Sequence, residues 1–274
     1  MISWFEAIVL GVVQGLTEFL PISSSAHILI ISQLFGWEDP GAAFTAVSQI
    51  GTESAVILYF RKDIWRIISA WFRSLYTPAE RGVLEARMGW YVIIGTIPIA
   101  VLGVAFQDQI ETVARNLWLV SFTLIGFGII LGVADRVGRK SQELEDLNTR
   151  DGILYGVGQA FALIPGVSRS GATISMGLFL GYSREAATRY AFLLAIPAVM
   201  ASGFFEALKI GDGPTPDWGP TIVATVIAFV IGYLVIAWLI KYISTNSYMP
   251  FVLYRIVLGL LVIVLLSTGV LTAT

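Results

Sequence analysis

The sequence predicts an all-α integral membrane protein with six transmembrane helices and two re-entrant helix-loop-helix hairpins in an inverted-topology repeat. Three observations carry this. Only 13% of the 274 residues are charged and 56% are hydrophobic. A soluble domain carries about 25% charged residues, so the chain has too few charges to cover a water-exposed surface. The mean hydropathy of +0.79 agrees. Apolar runs of helix length recur along the chain, separated by short polar loops. Two further apolar runs are broken in the middle by Pro, Ser and Gly with ionisable neighbours. This composition excludes disorder, a coiled coil and a nucleic-acid-binding domain. The net charge of −2 argues for no particular partner.

The first element is the run from Trp4 to Leu20, which enters the break Pro21-Ile22-Ser23-Ser24-Ser25-Ala26-His27 and continues to Phe35. Residues 1–5 have neither a basic region nor a small-residue cleavage site, so no removable signal peptide is expected. The segments 42–60, 88–106, 117–134, 186–208, 220–240 and 249–271 follow as six spans. Each can cross a hydrocarbon core of about 30 Å at about 1.5 Å rise per residue. Between the third and fourth spans, the run from Ile153 to Ile164 meets a second break, Pro165-Gly166-Val167-Ser168-Arg169-Ser170-Gly171-Ala172-Thr173, and continues to Leu180. Irregular backbone at membrane depth is tolerated only where protein buries it or a wet cavity lines it. Each broken run therefore reads as a re-entrant pair of half-helices.

The two broken runs match one another. With a shift of 145 residues, Ile8, Gly11, Val12, Gln14, Ser23 and Ser25 meet Ile153, Gly156, Val157, Gln159, Ser168 and Ser170, and Glu6 meets Asp151. The chain reads as a single membrane domain, with one repeat over about 1–134, a second over about 151–274 and a loop at 135–150 between them. Basic residues set the orientation. The loop 61–87 carries Arg61, Lys62, Arg66, Arg73, Arg81 and Arg87, and the loop 135–151 carries Arg136, Arg139, Lys140 and Arg150. Both are expected in the cytoplasm. The loops 36–41 and 211–219 contain no basic residue and 107–116 contains only Arg115, so these are expected outside, with both termini. The first hairpin then enters from outside and the second from inside, and their tips meet near the midplane. Residues 64–76, with Trp65, Trp71, Arg66 and Arg73, read as an amphipathic helix on the membrane surface.

Ionisable groups in apolar segments are functional candidates by default. Gln14 and Glu18 share a helix face at i, i+4; Ser24 and His27 do so at i, i+3 if a helix starts near Ser23. Ser23 is a natural N-cap. Two half-helix N-termini, near Ser23 and Ser168, would aim backbone N–H groups at one place, a geometry that binds anions. Arg169 adds a permanent, forked positive charge suited to phosphate. An anion cradle, a hydroxyl, a base candidate and a carboxylate together fit phosphoryl transfer. Plainer readings compete. Ser25 and Ser170 read individually as backbone-bonded hydroxyls. Glu53 reads as a buried packing residue or cavity wall. Gln49 divides between cavity lining and interhelical hydrogen bonding. His27 alone would be a packed histidine, and only its place beside Ser24 and Glu18 argues otherwise.

The chain has no cysteine and one histidine. Cysteine phosphatases, two-histidine lipid phosphatases and histidine-rich zinc hydrolases are excluded, and no Asp-x-Asp pair exists for an aspartyl-phosphate route. A serine nucleophile or an activated water remains, supported by Glu18, His27 and Arg169. The same broken-helix pattern also suits a transporter or lipid flippase, and a non-catalytic membrane scaffold is a weaker third reading.

Residues Gln14 to His27, Gln-Gly-Leu-Thr-Glu-Phe-Leu-Pro-Ile-Ser-Ser-Ser-Ala-His, resemble the first signature of bacterial undecaprenyl-pyrophosphate phosphatases, the bacitracin-resistance proteins. Residues Pro165 to Ile174 resemble the second, and the likeness extends over the whole chain. The resemblance implies a plasma-membrane hydrolase, open to the outer face. It would remove the terminal phosphate of undecaprenyl pyrophosphate and recycle the lipid carrier of cell-wall synthesis. It implies a divalent cation, Mg2+ or Ca2+. Carried over by motif position, Ser24 is the nucleophile, Glu18 the metal or base residue, His27 the acid/base partner and Arg169 the pyrophosphate clamp. Ser23, Ser168 and Thr173 are binding donors; Gln14, Ser25, Gln49 and Ser170 complete the substrate-binding set. Many members have Glu where this chain has Gln14, and a small residue such as Gly at Ala26. A cation here would lean on Glu18, substrate phosphates and water. The implied partners are a prenyl pyrophosphate lipid and the membrane, with no nucleic acid; a homo-oligomer is compatible with the sequence.

Overall fold

A computed structural model of the chain describes residues 2–38, 41–107, 109–110, 116–208 and 217–273. Among these, eleven α-helices form and no strand does; the one β-bridge, Gln142 to Tyr182, is isolated. The helices are α1 (Trp4–Thr17), α2 (Ser24–Leu34), α3 (Gly41–Tyr59), α4 (Arg61–Tyr76), α5 (Leu84–Ala105), α6 (Leu117–Val137), α7 (Thr149–Ala160), α8 (Arg169–Leu180), α9 (Arg184–Leu208), α10 (Trp218–Ile243) and α11 (Met249–Ser267). Most of loops 107–116, with Arg115, and 211–219, and residues 39–40 of loop 36–41, lie outside the described residues.

Among the described residues, five helices are long and apolar enough to cross a membrane: α5, α6, α9 over Arg184–Gly203, α10 and α11. This is a multi-pass membrane protein. The sixth predicted span, 42–60, forms α3, which has the length at 19 residues but is not one of the five. Ser48, Gln49, Thr52, Glu53 and Ser54 lower its apolarity, and Ser48, Thr52 and Glu53 are buried. Large side chains such as Val101, Leu234 and Val257 are exposed on the exterior, where lipid is the natural solvent.

Each predicted half-helix pair is present as helix, break, helix. α1 stops at Thr17 and α2 starts at Ser24; α7 runs through a 3-10 turn, Phe161–Leu163, before α8 starts at Arg169. α1 opens with a capping box in which Ser3 and Glu6 exchange bonds. α7 is capped by Asn148, whose side chain accepts from the Asp151 N–H.

The helices pair in matched sets. α1 and α3 pack on α10, α7 and α9 pack on α5, and α6 packs on α11. Helices in lipid gain no hydrophobic drive for association and rely on close packing through small residues. Gly11 of α1 lies so near α10 that a Cβ there would come within 2.6 Å of the Ala224 carbonyl oxygen. Its counterpart Gly156 of α7 would come within 2.2 Å of the Gly95 carbonyl oxygen of α5.

α4 forms where the sequence predicts a helix over 64–76: Ile67, Ala70 and Ser74 are buried while Trp65, Phe72 and Tyr76 are exposed. The basic loop after α6 is tied down by polar bonds. Asp135 pairs with Arg184 at 2.6 Å and accepts from the Tyr248 N–H at 3.0 Å. The Tyr182 hydroxyl donates to Asp151 at 2.8 Å.

Candidate active site

The two breaks meet. Glu18, the residue after α1, turns its carboxylate toward the second break although Arg169 lies 151 residues away in sequence. Three donors converge on it. Gln14, one turn earlier, donates its Nε2 to Glu18 Oε2 at 3.0 Å. The Ser24 hydroxyl, in the first turn of α2, donates to the same oxygen at 2.6 Å. Arg169, in the first turn of α8, donates Nη2 to Glu18 Oε1 and also to Glu53 Oε1, the latter at 3.2 Å. The side chains of Glu18 and Glu53 are each 5% exposed and that of Arg169 18%. A cluster this dry makes each ionic bond stronger and each loss of a partner more costly than at a surface.

The breaks share one backbone shape. Ser23 has φ 75°, ψ 97° and Ser168 has φ 71°, ψ 115°. Among the described residues only these and Lys140 are non-glycine residues with positive φ. Both serines N-cap a helix, and each hydroxyl meets that of the serine two positions on: Ser23 to Ser25 at 3.3 Å and Ser168 to Ser170 at 3.1 Å. The cap bonds differ. Ser168 Oγ accepts from the Gly171 N–H at 3.2 Å, while Ser23 makes no side-chain cap bond, against the expectation from sequence. Ser170 also donates to the Leu20 carbonyl at 3.2 Å, a backbone bond of the kind its plainer reading expects, made here across to the first break.

Other expected site residues sit at greater remove. His27 Nδ1 lies 2.7 Å from the Ser23 carbonyl and Nε2 lies 2.7 Å from the Tyr254 hydroxyl. A carbonyl only accepts, so Nδ1 carries the proton, and a neutral ring then accepts from Tyr254 at Nε2. Both nitrogens are thus engaged away from Ser24 and Glu18; the i, i+3 spacing does not bring His27 and Ser24 into a bond. Thr173 donates to the Arg169 carbonyl at 2.8 Å within its own helix, the usual habit of Thr in apolar helices. Gln49 is half-buried, one turn before Glu53 on the same face of α3, and no described bond joins its amide to the cluster. Ser25 is exposed at the head of α2.

Three participants were not singled out, or were ranked low, from sequence. Glu53 is a partner of Arg169. Tyr254 holds His27 in a stack with ring centroids 5.5 Å apart and planes 5° from parallel. Arg255 is fully buried and binds both breaks. The signal for Arg255 was present: it is the one charge in the apolar run of α11, and an intramembrane charge marks a functional or structural need.

The donor set suits a hard divalent cation in kind. Glu53 Oε2 and Gln14 Oε1 are buried oxygens without hydrogen-bond partners, and with Glu18 they make an all-oxygen group of the type that Mg2+ and Ca2+ prefer. Among the described residues no cluster of three or more His, Cys, Asp or Glu forms a ready-made metal site.

The sequence profile of the family described as bacitracin resistance protein BacA matches residues 7–261. The chain belongs to this family. It is 61% identical over 274 residues to an undecaprenyl-diphosphatase of Nocardioides sp. (strain ATCC BAA-499 / JS614), covering the whole of both chains. It is 59% identical to undecaprenyl-diphosphatase 2 of Streptomyces coelicolor, over 98% of this chain and 97% of that one. An undecaprenyl-diphosphatase of Thermobifida fusca is also 59% identical, over 98% of this chain and 92% of the relative. The family match takes in both breaks, and therefore Glu18, Ser24 and Arg169.

Proposed function

We propose that the protein hydrolyses the terminal phosphate of undecaprenyl pyrophosphate, giving undecaprenyl phosphate and inorganic phosphate. It thereby recycles the lipid carrier of cell-wall synthesis and confers bacitracin resistance. The observation that carries this is the chain Ser24 Oγ to Glu18 to Arg169. It joins a hydroxyl already bonded to a carboxylate with a guanidinium from the facing break, in a family whose relatives bear that name. The lipid enters between helices with its chain in the bilayer. Both bonds of Arg169 use Nη2, which leaves its other N–H groups, with the first-turn N–H groups of α2 and α8, to hold the pyrophosphate. Ser24 Oγ attacks the terminal phosphorus while Glu18 accepts its proton. The bridging P–O bond breaks and undecaprenyl phosphate leaves. Water then attacks the phosphoserine, Glu18 returns its proton to Ser24 Oγ as the Oγ–P bond breaks, and phosphate leaves with the oxygen and protons of the water.

His27 secures the start of α2 through the Ser23 carbonyl, and so positions Ser24. Ser23, Ser25, Ser168 and Ser170 line the anion cradle, and Gln14 orients Glu18. Thr173 steadies Arg169 through its carbonyl, and Gln49 belongs to the cavity wall. Glu18 and Glu53, with Gln14 Oε1, would hold a Mg2+ or Ca2+ ion. When bound, the ion supplies positive charge that neutralises phosphate oxygens.

The proposed topology has α3 as a sixth span and the pairs α1–α2 and α7–α8 as re-entrant hairpins of an inverted repeat in the plasma membrane. The site opens outward and both termini lie outside. The matched packing of α1 on α10 and α7 on α5, and the shared backbone of Ser23 and Ser168, support this reading. The deciding experiment is phosphate release by detergent-solubilised protein given a prenyl pyrophosphate. Release that vanishes in Ser24→Ala, while lipid binding survives, is the expected result. Near-normal release in Ser24→Ala overturns the covalent route. No release from wild type, with uptake into vesicles instead, makes the protein a transporter or flippase.

A further inference from the structure

Arg255 stands about a third of the way along α11 with no exposed surface. Its guanidinium makes five hydrogen bonds, all to backbone carbonyls. Nε donates to Leu124 at 3.1 Å and Nη1 to Pro21 at 3.0 Å. Nη2 donates to Thr123 at 3.3 Å, Gly166 at 3.1 Å and Val167 at 2.9 Å. Two acceptors belong to α6, one to the first break and two to the second. Among the described residues no carboxylate pairs with it. Burying a charge in an apolar bundle is costly, and a cross-link between α6 and α11 alone would not require it. The forked geometry does require it: one planar group with five diverging donors reaches carbonyls on three elements at once.

Three of the five carbonyls it holds lie in the segments that lead into the two strained serines. Pro21 lies two residues before Ser23; Gly166 and Val167 immediately precede Ser168. Ser23 and Ser168 have φ 75° and 71°, and Gly166 has φ 83°. A residue with a Cβ stays in such a conformation only when its surroundings over-determine it. Because the peptide unit is planar and trans, fixing the Val167 carbonyl on Arg255 also fixes the direction of the Ser168 N–H. The next residue is Arg169. Thr123 adds to the hold: its hydroxyl donates to the Pro165 carbonyl at 2.6 Å.

We infer that Arg255, assisted by Thr123, is a positioning residue for the hydrolysis: it keeps Ser23 and Ser168 in the left-handed conformation that launches α2 and α8 with Ser24 and Arg169 facing Glu18. The inference rests on the proposed hydrolase function. It says that Arg255 acts through backbone shape, without touching substrate.

A double-mutant cycle tests it. Arg255→Lys keeps the charge but has one nitrogen, which cannot span both breaks. Ser168→Gly removes the penalty for positive φ, so the second break can keep its shape with a weaker hold. The single variants and the double variant are assayed for kcat/KM with a prenyl pyrophosphate, and their thermal unfolding in detergent is followed. Arg255→Lys alone is expected to lower kcat/KM by about tenfold to 10²-fold, the scale of a misplacement of about 1 Å. In the Ser168→Gly background it is expected to cost less than about threefold, because coupled residues are non-additive. A merely structural cross-link gives the same fold-loss in both backgrounds, and that result overturns the inference, as does unchanged kcat/KM in Arg255→Lys. Should Arg255→Lys fail to fold, Thr123→Val enters the same cycle in its place; it removes one side-chain bond to the second break and leaves Arg255 intact. Background-dependent loss supports the inference and additive loss overturns it. Wild type without hydrolysis rejects the proposed function and this inference together; active wild type with additive losses rejects the inference alone.

Discussion

At the scale of single residues, the site is a buried exchange of charge among Glu18, Glu53 and Arg169, with Ser24 attached to it through Glu18. Ser24→Ala removes the one hydroxyl bonded to Glu18 among the described residues and is expected to lower kcat by at least about 10³-fold, as for loss of a nucleophile elsewhere; single-turnover phosphate release checks it. Arg169→Met leaves two buried carboxylates without their shared cation. It should destabilise the protein by about 3–5 kcal/mol as well as inactivate it, seen as a fall in the unfolding temperature. Arg169→Lys keeps the charge but not the fork, so it should fold and lose activity by about 10²-fold. Glu18 and Ser24 are conspicuous in the sequence because polar residues are scarce there. Their bond, and the addition of Glu53, are not: α3 enters the site from a separate part of the chain, and no local spacing reports that.

At the scale of elements, α1–α2 and α7–α8 are short helices whose axes are interrupted at Ser23 and Ser168, and they are held by close backbone approach to α10 and α5. Gly156→Leu forces a side chain into the space where a single Cβ would already lie 2.2 Å from the Gly95 carbonyl. Backbone cannot yield as a flexible side chain does, so a loss of more than about 3 kcal/mol is expected, read as lost yield or a lower unfolding temperature in detergent. Gly126→Ala is the control, since a Cβ there meets nothing within 4 Å, and it should leave both unchanged. The helices themselves were legible from apolar runs and from the Pro-Ser-Gly breaks. The polarity of α3 was legible too, in Ser48, Gln49, Thr52 and Glu53, though its length invited counting it with the other spans. What the pattern could not supply was the partner of each helix, since in lipid every apolar face is equally content until small residues allow close approach.

At the scale of the whole molecule, the proposed topology places the N-terminus of α7 inside and the C-terminus of α2 outside. The chain contains no cysteine, so single introduced thiols report without background. Phe35→Cys, at the end of α2, should react with a membrane-impermeant maleimide in intact cells. Arg150→Cys, at the start of α7, should react only after permeabilisation. Reaction of both from the same side would overturn the inverted arrangement. The expectation comes from the basic loops 61–87 and 135–151, and the anchoring of the latter through Asp135, Arg184 and Asp151 gives it a fixed place at one end of the bundle.

The sequence by itself determined the solvent, the helices and the two polar breaks. Composition, apolar run length and Pro-Ser-Gly punctuation are local properties, and lipid leaves the backbone few alternatives to the helix. It also brought out Glu18, Ser24 and Arg169, because ionisable and hydroxyl groups are few in a chain with 13% charge. Only the tertiary structure decided which of these groups meet. It joined Arg169 to Glu18 across 151 residues and added Glu53 from α3. It turned His27 toward Ser23 and Tyr254, and put Arg255 behind both breaks. The physical reason is that a buried polar group takes its partner from whichever element packs beside it, and that packing is a property of the whole bundle.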